Sequence, residues 1–213
     1  MKVITTACYC LGLASTCAFG SLLLDDYDSQ SLGSGNPTDY IIFGPLVSDR
    51  GISNLESASP DQSLYVDVDF SQSGYGAVVR RTLSTPMDLT GTTLSVDLQS
   101  DYSFSGGMTA LYLLDGDGTT YISETADYYT PTSSFSTFSQ NVSDITLEAV
   151  AGSTAGLDLT NITAVGFQFV DTSDTTTERI YADNLQVIPE PSTMVLMGAA
   201  LGALYLSRRR KTA

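Results

Sequence analysis

The sequence contains no histidine and no tryptophan, and its three cysteines, Cys8, Cys10 and Cys17, all lie near the amino terminus. Its only lysines are Lys2 and Lys211, one near each end. Without histidine, and without thiols or lysines in the body of the chain, most nucleophile and general-base arrangements are missing. Loss of an amino-terminal leader would also leave no disulfide framework and no thiolate metal site. Cations are scarce as well: between Ser21 and Ile188 the four arginines Arg50, Arg80, Arg81 and Arg179 stand against 23 carboxylates. A surface this negative repels nucleic acid, and it repels anionic polysaccharide unless divalent cations mediate. Nucleic-acid binding is excluded on this ground.

Long apolar runs are confined to the two ends. At the front, Lys2 is followed by an uncharged stretch from Val3 to Leu24. Thr16 with Ala18, or Ala18 with Gly20, supplies the small residues of a cleavage site, so residues 1–20 are expected to be a signal peptide. That predicts passage through a secretion translocon and removal by signal peptidase. At the back, Pro191 to Ser207 carries no charge over 17 residues. As a helix it reaches roughly 25 Å, slightly less than the ~30 Å of a hydrocarbon core. Arg208, Arg209, Arg210 and Lys211 follow at once and would hold that end at the cytoplasmic headgroups. Just before the run stand Pro189, Glu190 and Pro191. Each proline lacks an amide donor and restricts the residue before it, so the triplet is expected to be an extended, protease-accessible junction outside the membrane.

Motif, marginal span and basic end, in that order, resemble the PEP-CTERM signal of exopolysaccharide-producing Gram-negative bacteria, here Val187 to Lys211. The resemblance implies processing by an exosortase, a membrane-embedded cysteine-type transpeptidase or protease, after transient anchoring in the inner membrane. The expected destination is the cell-envelope surface or the extracellular matrix. The expected organisation is a signal peptide over 1–20, one domain over 21–187 and a sorting signal over 188–213, with a transmembrane helix at 192–207 and the basic tail at 208–211.

The domain reads as strands. In "SLYVDVDF", Leu64, Val66, Val68 and Phe70 alternate with Tyr65, Asp67 and Asp69, the pattern of a half-buried strand. "TLSVDLQS" and "TAVGFQFVD" repeat it, and "DYIIF", "YGAVVRRTL", "TALYLLD", "TYISE", "FSTFSQ" and "RIYADNLQV" add six more strands between Gly, Pro, Asp and Ser punctuators. "DITLEAVAG" is left open between a short helical turn and a strand by Thr146 and Val150. Nine or ten short alternating strands predict an all-β, antiparallel two-sheet sandwich. "MDLTGTTLSVDLQSD" and "LDLTNITAVGFQFVD" share one pattern, and with the closing "IYADNLQV" they resemble the galactose-binding-like jelly rolls of many carbohydrate-binding modules. A jelly roll is therefore expected.

The same resemblance implies a structural calcium near the first and last strands. Asp25, Asp26 and Asp183 are the candidate ligands, since calcium takes six to eight oxygens; solvated strand-edge carboxylates are the other reading. "LLDGDGTTY" fails as an EF-hand loop, because Thr119 stands where an acidic or amide oxygen is needed and Ala126 where a glutamate is needed, and it is expected to be a hairpin turn. Tyr75, Tyr102, Tyr128 and Tyr129 lie beside Gly, Ser or Pro and are candidates for stacking on sugar rings; half-buried strand positions suit tyrosine equally. No catalytic residue is expected, since no motif selects a pair among the many carboxylates. The expected function is therefore non-enzymatic, a structural or adhesive role associated with exopolysaccharide. A carbohydrate-binding module with a defined glycan ligand is the alternative, and a glycoside hydrolase stands behind it.

Overall fold

The computed structural model describes residues 21–44, 47–58, 62–69, 77–101, 108–123, 129–144, 147–152, 156–170 and 177–190. Within them the chain forms strands β1 (Leu22–Asp25), β2 (Gly33–Ser34), β3 (Tyr40–Phe43), β4 (Val47–Ser53), β5 (Ser63–Asp69), β6 (Ala77–Met87) and β7 (Thr92–Ser100). Then come β8 (Met108–Asp115), β9 (Thr120–Ser123), β10 (Ser136–Asn141), β11 (Leu147–Ala151), β12 (Ile162–Val170) and β13 (Thr177–Pro189), with one short 3₁₀ turn at Leu159–Asn161. Two sheets result. The first is ordered β10-β7-β13-β5-β4-β2, with β1 also on β13, and the second β11-β9-β8-β12-β6-β3. Neighbours run antiparallel throughout, for example β13 against β7 and β12 against β8. The all-β two-sheet sandwich expected from the alternation is what the chain forms.

Period-two patterning explains the core. Leu64, Val66 and Val68 of β5, Leu94, Val96 and Leu98 of β7, and Ile180, Ala182, Leu185 and Val187 of β13 face inward from the first sheet. They meet Val79 of β6, Leu111 and Leu113 of β8, and Val165, Phe167 and Phe169 of β12 from the second. In β13 the inward set passes from Ala182 to Leu185, an odd step that strict alternation forbids. A bulge between Asp183 and Gln186 absorbs it, with Asn184 at φ 51°, a conformation asparagine tolerates better than most residues. Its amide is held by Asp97 at 3.0 Å.

Each of the nine segments marked by alternation contributes a strand. "DITLEAVAG" resolves as strand: its Leu147–Ala151 pairs with β9 as β11. The alternation missed β4, "VSDRGIS", which is polar and pairs with β5. Its Gly51 is required by the close approach of β2, since a Cβ there would stand 2.0 Å from the Gly33 carbonyl oxygen. The "DGDG" segment makes the expected turn. Asp115 accepts the amides of Asp117 and Thr119 at 3.2 and 3.0 Å, and Gly118 sits at φ 85°. No described helix is long and apolar enough to cross a membrane; the run 192–207, the basic residues Arg208 to Lys211 and residues 1–20 lie outside the described residues.

Phe167 is 2% exposed and packs on Phe169, ring centroids 5.5 Å apart. Replacing it with alanine leaves a cavity between the sheets, so Phe167→Ala should lower stability by about 3–5 kcal/mol in urea unfolding. The exposed Leu55→Ser should leave the midpoint within about 0.5 kcal/mol of the parent.

Candidate functional site

Three regions of potential function can be distinguished, and strand β13 runs through the first and the third. One flank pairs with β7 along most of its length, while the other pairs with β5 as far as Ala182 and with β1 from Leu185 to Val187. The first region is the corner where β1 ends. Asp25 is 7% exposed and accepts the amide of Tyr27 at 2.8 Å and the side-chain amide of Gln30 at 3.4 Å. Its charge is met by Arg81, with Nη1 3.1 Å away in an ionic contact rather than an aligned hydrogen bond. The Tyr40 hydroxyl donates to that of Tyr27 at 3.2 Å. Burial pushes both phenols well above their ordinary range, and the Asp25 charge adds to the effect on each. Asp183, with 0% exposure, accepts the amides of Ala58 and Asn184 at 2.8 and 2.7 Å, while Asp26 accepts the amide of Asp28 at 3.2 Å.

Of the three calcium candidates, then, Asp25 has an arginine as its counter-charge. Among the described residues no three acidic side chains converge. The corner nevertheless offers neutral oxygens: the Gln62 side-chain amide lies 3.1 and 3.0 Å from the carbonyl oxygens of Tyr27 and Gln30. With nitrogen towards them it donates two hydrogen bonds. With oxygen towards them, the three would supply at most half of the six to eight oxygens that calcium takes. A cleft of about 380 Å³ lies alongside, lined by Leu23, Asp26, Gln30, Asp39 and Arg81 among others.

The two sheets present different outer faces. On the first, the Arg179 guanidinium makes a bidentate pair with Asp67 at 2.6 and 2.7 Å and covers the Tyr65 ring at 4.5 Å. The Tyr65 hydroxyl donates to Asp49 at 3.1 Å, and Tyr181 lies across from Tyr65 in register. Tyr65 and Tyr181 are 7% and 4% exposed, so this face satisfies itself. On the second, Val78, Tyr112 and Ile122 form a separate buried apolar cluster. Beside it the β3–β6 edge is open, with Ile41 39% and Phe43 44% exposed. The Arg80 guanidinium lies 5.8 Å from the Phe43 ring centroid, and its Nε is buried with no hydrogen-bond partner. Among the described residues no carboxylate forms an ion pair with Arg80, whereas Arg81 and Arg179 each have one.

Tyr75, Tyr102 and Tyr128 lie outside the described residues. Tyr129 turns onto the core: its ring stacks on Phe138 at 5.2 Å and its hydroxyl pairs with Ser136. Phe43 and Arg80 were missed by reading the sequence for loop tyrosines. Alternation carried the signal, since Ile41 and Phe43 must point away from the core if Tyr40 and Ile42 point into it.

The third region is the start of the sorting motif. Pro189 is still in β13, opposite Thr92, two residues beyond the boundary expected for the domain. The amide of Glu190 donates to the Gly91 carbonyl at 3.0 Å, and its carboxylate accepts from Asn141 at 2.6 Å and Thr93 at 3.4 Å. Pro189 belongs to the sheet and Glu190 is hydrogen-bonded to it, so these two residues are not the free junction expected. Pro191 lies outside the described residues.

Comparison with known proteins separates domain from signal. Solved structures with this fold include the family 11 carbohydrate-binding module of a cellulosomal cellulase of Clostridium thermocellum, at TM-score 0.57 and 17% identity over 81% of this chain and 96% of that one. That family's module has also been solved with a β-1,3-1,4-mixed-linked tetrasaccharide. A family 30 module from the same organism aligns at TM-score 0.51 and 13% identity, covering 81% of this chain and 99% of that one. An exo-β-agarase aligns at TM-score 0.58 and 15% identity over 81% of this chain but only 26% of the enzyme. No curated protein matches the sequence. The fold is that of a carbohydrate-binding-module jelly roll. Residues 187–211 match the PEP-CTERM protein-sorting motif, which marks the chain as an exported, transiently membrane-anchored substrate of an exosortase.

The buried tyrosine pair gives the corner a pH signature. Raised phenol pKa values mean that the folded state keeps protons that the unfolded chain releases. Stability is therefore full below pH 10, the ordinary phenol value, and is lost as the pH rises above it towards the folded values. Denaturant unfolding at stepped pH should show this fall, and Tyr27→Phe should flatten it.

Proposed function

We propose that the sandwich is a non-enzymatic glycan-binding body, delivered by its sorting signal to the cell surface or matrix, where it adheres to exopolysaccharide. The observation that carries this reading is the exposed Phe43 beside Arg80 on the outer edge of the second sheet. A flat aromatic face suits the C–H surface of a pyranose ring, and a planar guanidinium with five donors suits pairs of ring hydroxyls. The strip lies on rigid strands, which limits the ordering cost of binding. Lack of histidine, and of lysine within the sandwich, fits binding better than hydrolysis. The matched solved modules bear carbohydrate-binding names, which supports the same reading.

The proposal includes a structural calcium at the β1–β13 corner. The carbonyls of Tyr27 and Gln30 and the amide oxygen of Gln62 would contribute, with Asp183 close by in sequence to the β13 bulge as the candidate carboxylate. An ion there would tie β1 to the rest of the sheet and supply positive charge to an acidic surface.

Two measurements test these readings. Affinity electrophoresis of residues 21–190 in gels containing the host's exopolysaccharide, and in gels with neutral β-glucans, should show retardation. Phe43→Ala and Arg80→Gln should each weaken it about tenfold, and Leu55→Ser should not. No retardation in any gel removes the adhesive reading. For the metal, calcium at 100 times its dissociation constant stabilises by about 2.7 kcal/mol, a rise of about 5–10 °C in thermal midpoint over EDTA. Gln62→Leu should abolish that rise, and a midpoint indifferent to calcium removes the ion.

A further inference from the structure

The glutamate of the sorting motif is already bound, by the domain it is meant to release. Three groups hold it. The turn before β7 offers the Gly91 carbonyl to its amide, and β7 offers the Thr93 hydroxyl to its carboxylate. The end of β10 offers Asn141, whose Nδ2 donates to Glu190 Oε1 at 2.6 Å. Asn141 is itself fixed, because its Oδ1 accepts the Ser143 amide at 2.8 Å and only its nitrogen is left to face the glutamate. The turn that carries it is locked in place by Ser143 Oγ, which accepts the Gly91 amide at 3.1 Å, and by the Val142 amide on the Thr92 carbonyl at 2.9 Å. Gly91 sits at φ 62°, a left-handed position that glycine fills at no steric cost.

A processing enzyme that reads this motif has few handles: two prolines without amide donors, one glutamate amide and one carboxylate. The handles that are not prolines are the ones the sandwich occupies. The single backbone amide cannot serve both clamps at once, and Oε1 of the carboxylate is already engaged by two donors. We propose that the sandwich and the exosortase compete for Glu190, and that Asn141 and Thr93 are positioning residues that set the rate of processing. The substrate form is the one in which the end of β13 has peeled from Gly91, Thr93 and Asn141. Processing of the folded protein is accordingly slower than processing of a chain whose last rung is open.

The experiment uses the full-length chain in membranes containing the exosortase, with conversion of pulse-labelled protein followed over time. Asn141→Asp places a like charge against Glu190 and should speed conversion by about two- to tenfold. Thr93→Lys places an ammonium beside the same carboxylate and should slow it by a similar factor. The urea midpoint of each variant is measured in parallel; the two rates moving in opposite directions at unchanged midpoints is a result that general loosening does not produce. Hydrogen exchange at the Glu190 amide should be protected in the parent and fast in Asn141→Asp. Equal conversion rates in all three proteins, or slower conversion of Asn141→Asp, overturns the proposal, as does an unprotected Glu190 amide in the parent.

Discussion

Strand β13 is the constraint on which the remaining structure depends. It pairs with β7 on one side and with β5 and then β1 on the other, so it fixes the centre of the first sheet and the position of the amino-terminal strand. Its inward residues complete the core. The bulge at Asp183 and Asn184 changes which face each later residue takes, and Leu185 and Val187 point inward because of it. Without that one-residue correction the end of the strand would present Gln186 and Ile188 to the core. The strand then continues, without a break, into the sorting motif. Core, corner and signal are therefore mechanically one element.

Charge is managed locally rather than balanced overall. Four arginines serve a domain with many more carboxylates, and each does a different task. Arg179 locks Asp67 and covers a tyrosine ring. Arg81 neutralises a buried aspartate. Arg50 reaches the side chain of Asn36 at 2.7 Å. Arg80 lies by an exposed phenylalanine. Several of the acids are absorbed by turns instead: Asp88, Asp115, Asp117 and Asp158 accept amides two residues on. The Asp115 carboxyl, buried, is pushed up from its usual value and its exposed neighbour Asp117 is held down, so one turn contains two carboxylates of different proton affinity.

Much of this was legible in the sequence. Alternation in "SLYVDVDF", "TLSVDLQS" and "TAVGFQFVD" identified strands because apolar and mainly polar side chains take turns along each, although in the assembled sheets both faces of these strands are largely covered. The sorting signal was legible because its three parts are contiguous. β4 was hidden, since its only apolar side chains, Val47 and Ile52, stand five residues apart across a bulge and so show no alternation. Tyr129 was misplaced because a tyrosine two residues before a proline and one stacked on Phe138 look alike until the sheets are assembled. The grip on Glu190 was invisible for a plainer reason: Gly91, Thr93 and Asn141 lie some fifty to a hundred residues before it, and only the sheet brings them together.

The last hydrogen-bonded residue of the sheet is Glu190, and the charge-free run opens with Pro191. The two are adjacent in sequence. A cargo joined to its anchor by a long flexible linker can swivel and sample a hemisphere of several tens of ångströms. Here the sequence leaves no room for such a linker between Glu190 and the run, so the Gly91 turn and the end of β10 hold the chain one residue before the run begins.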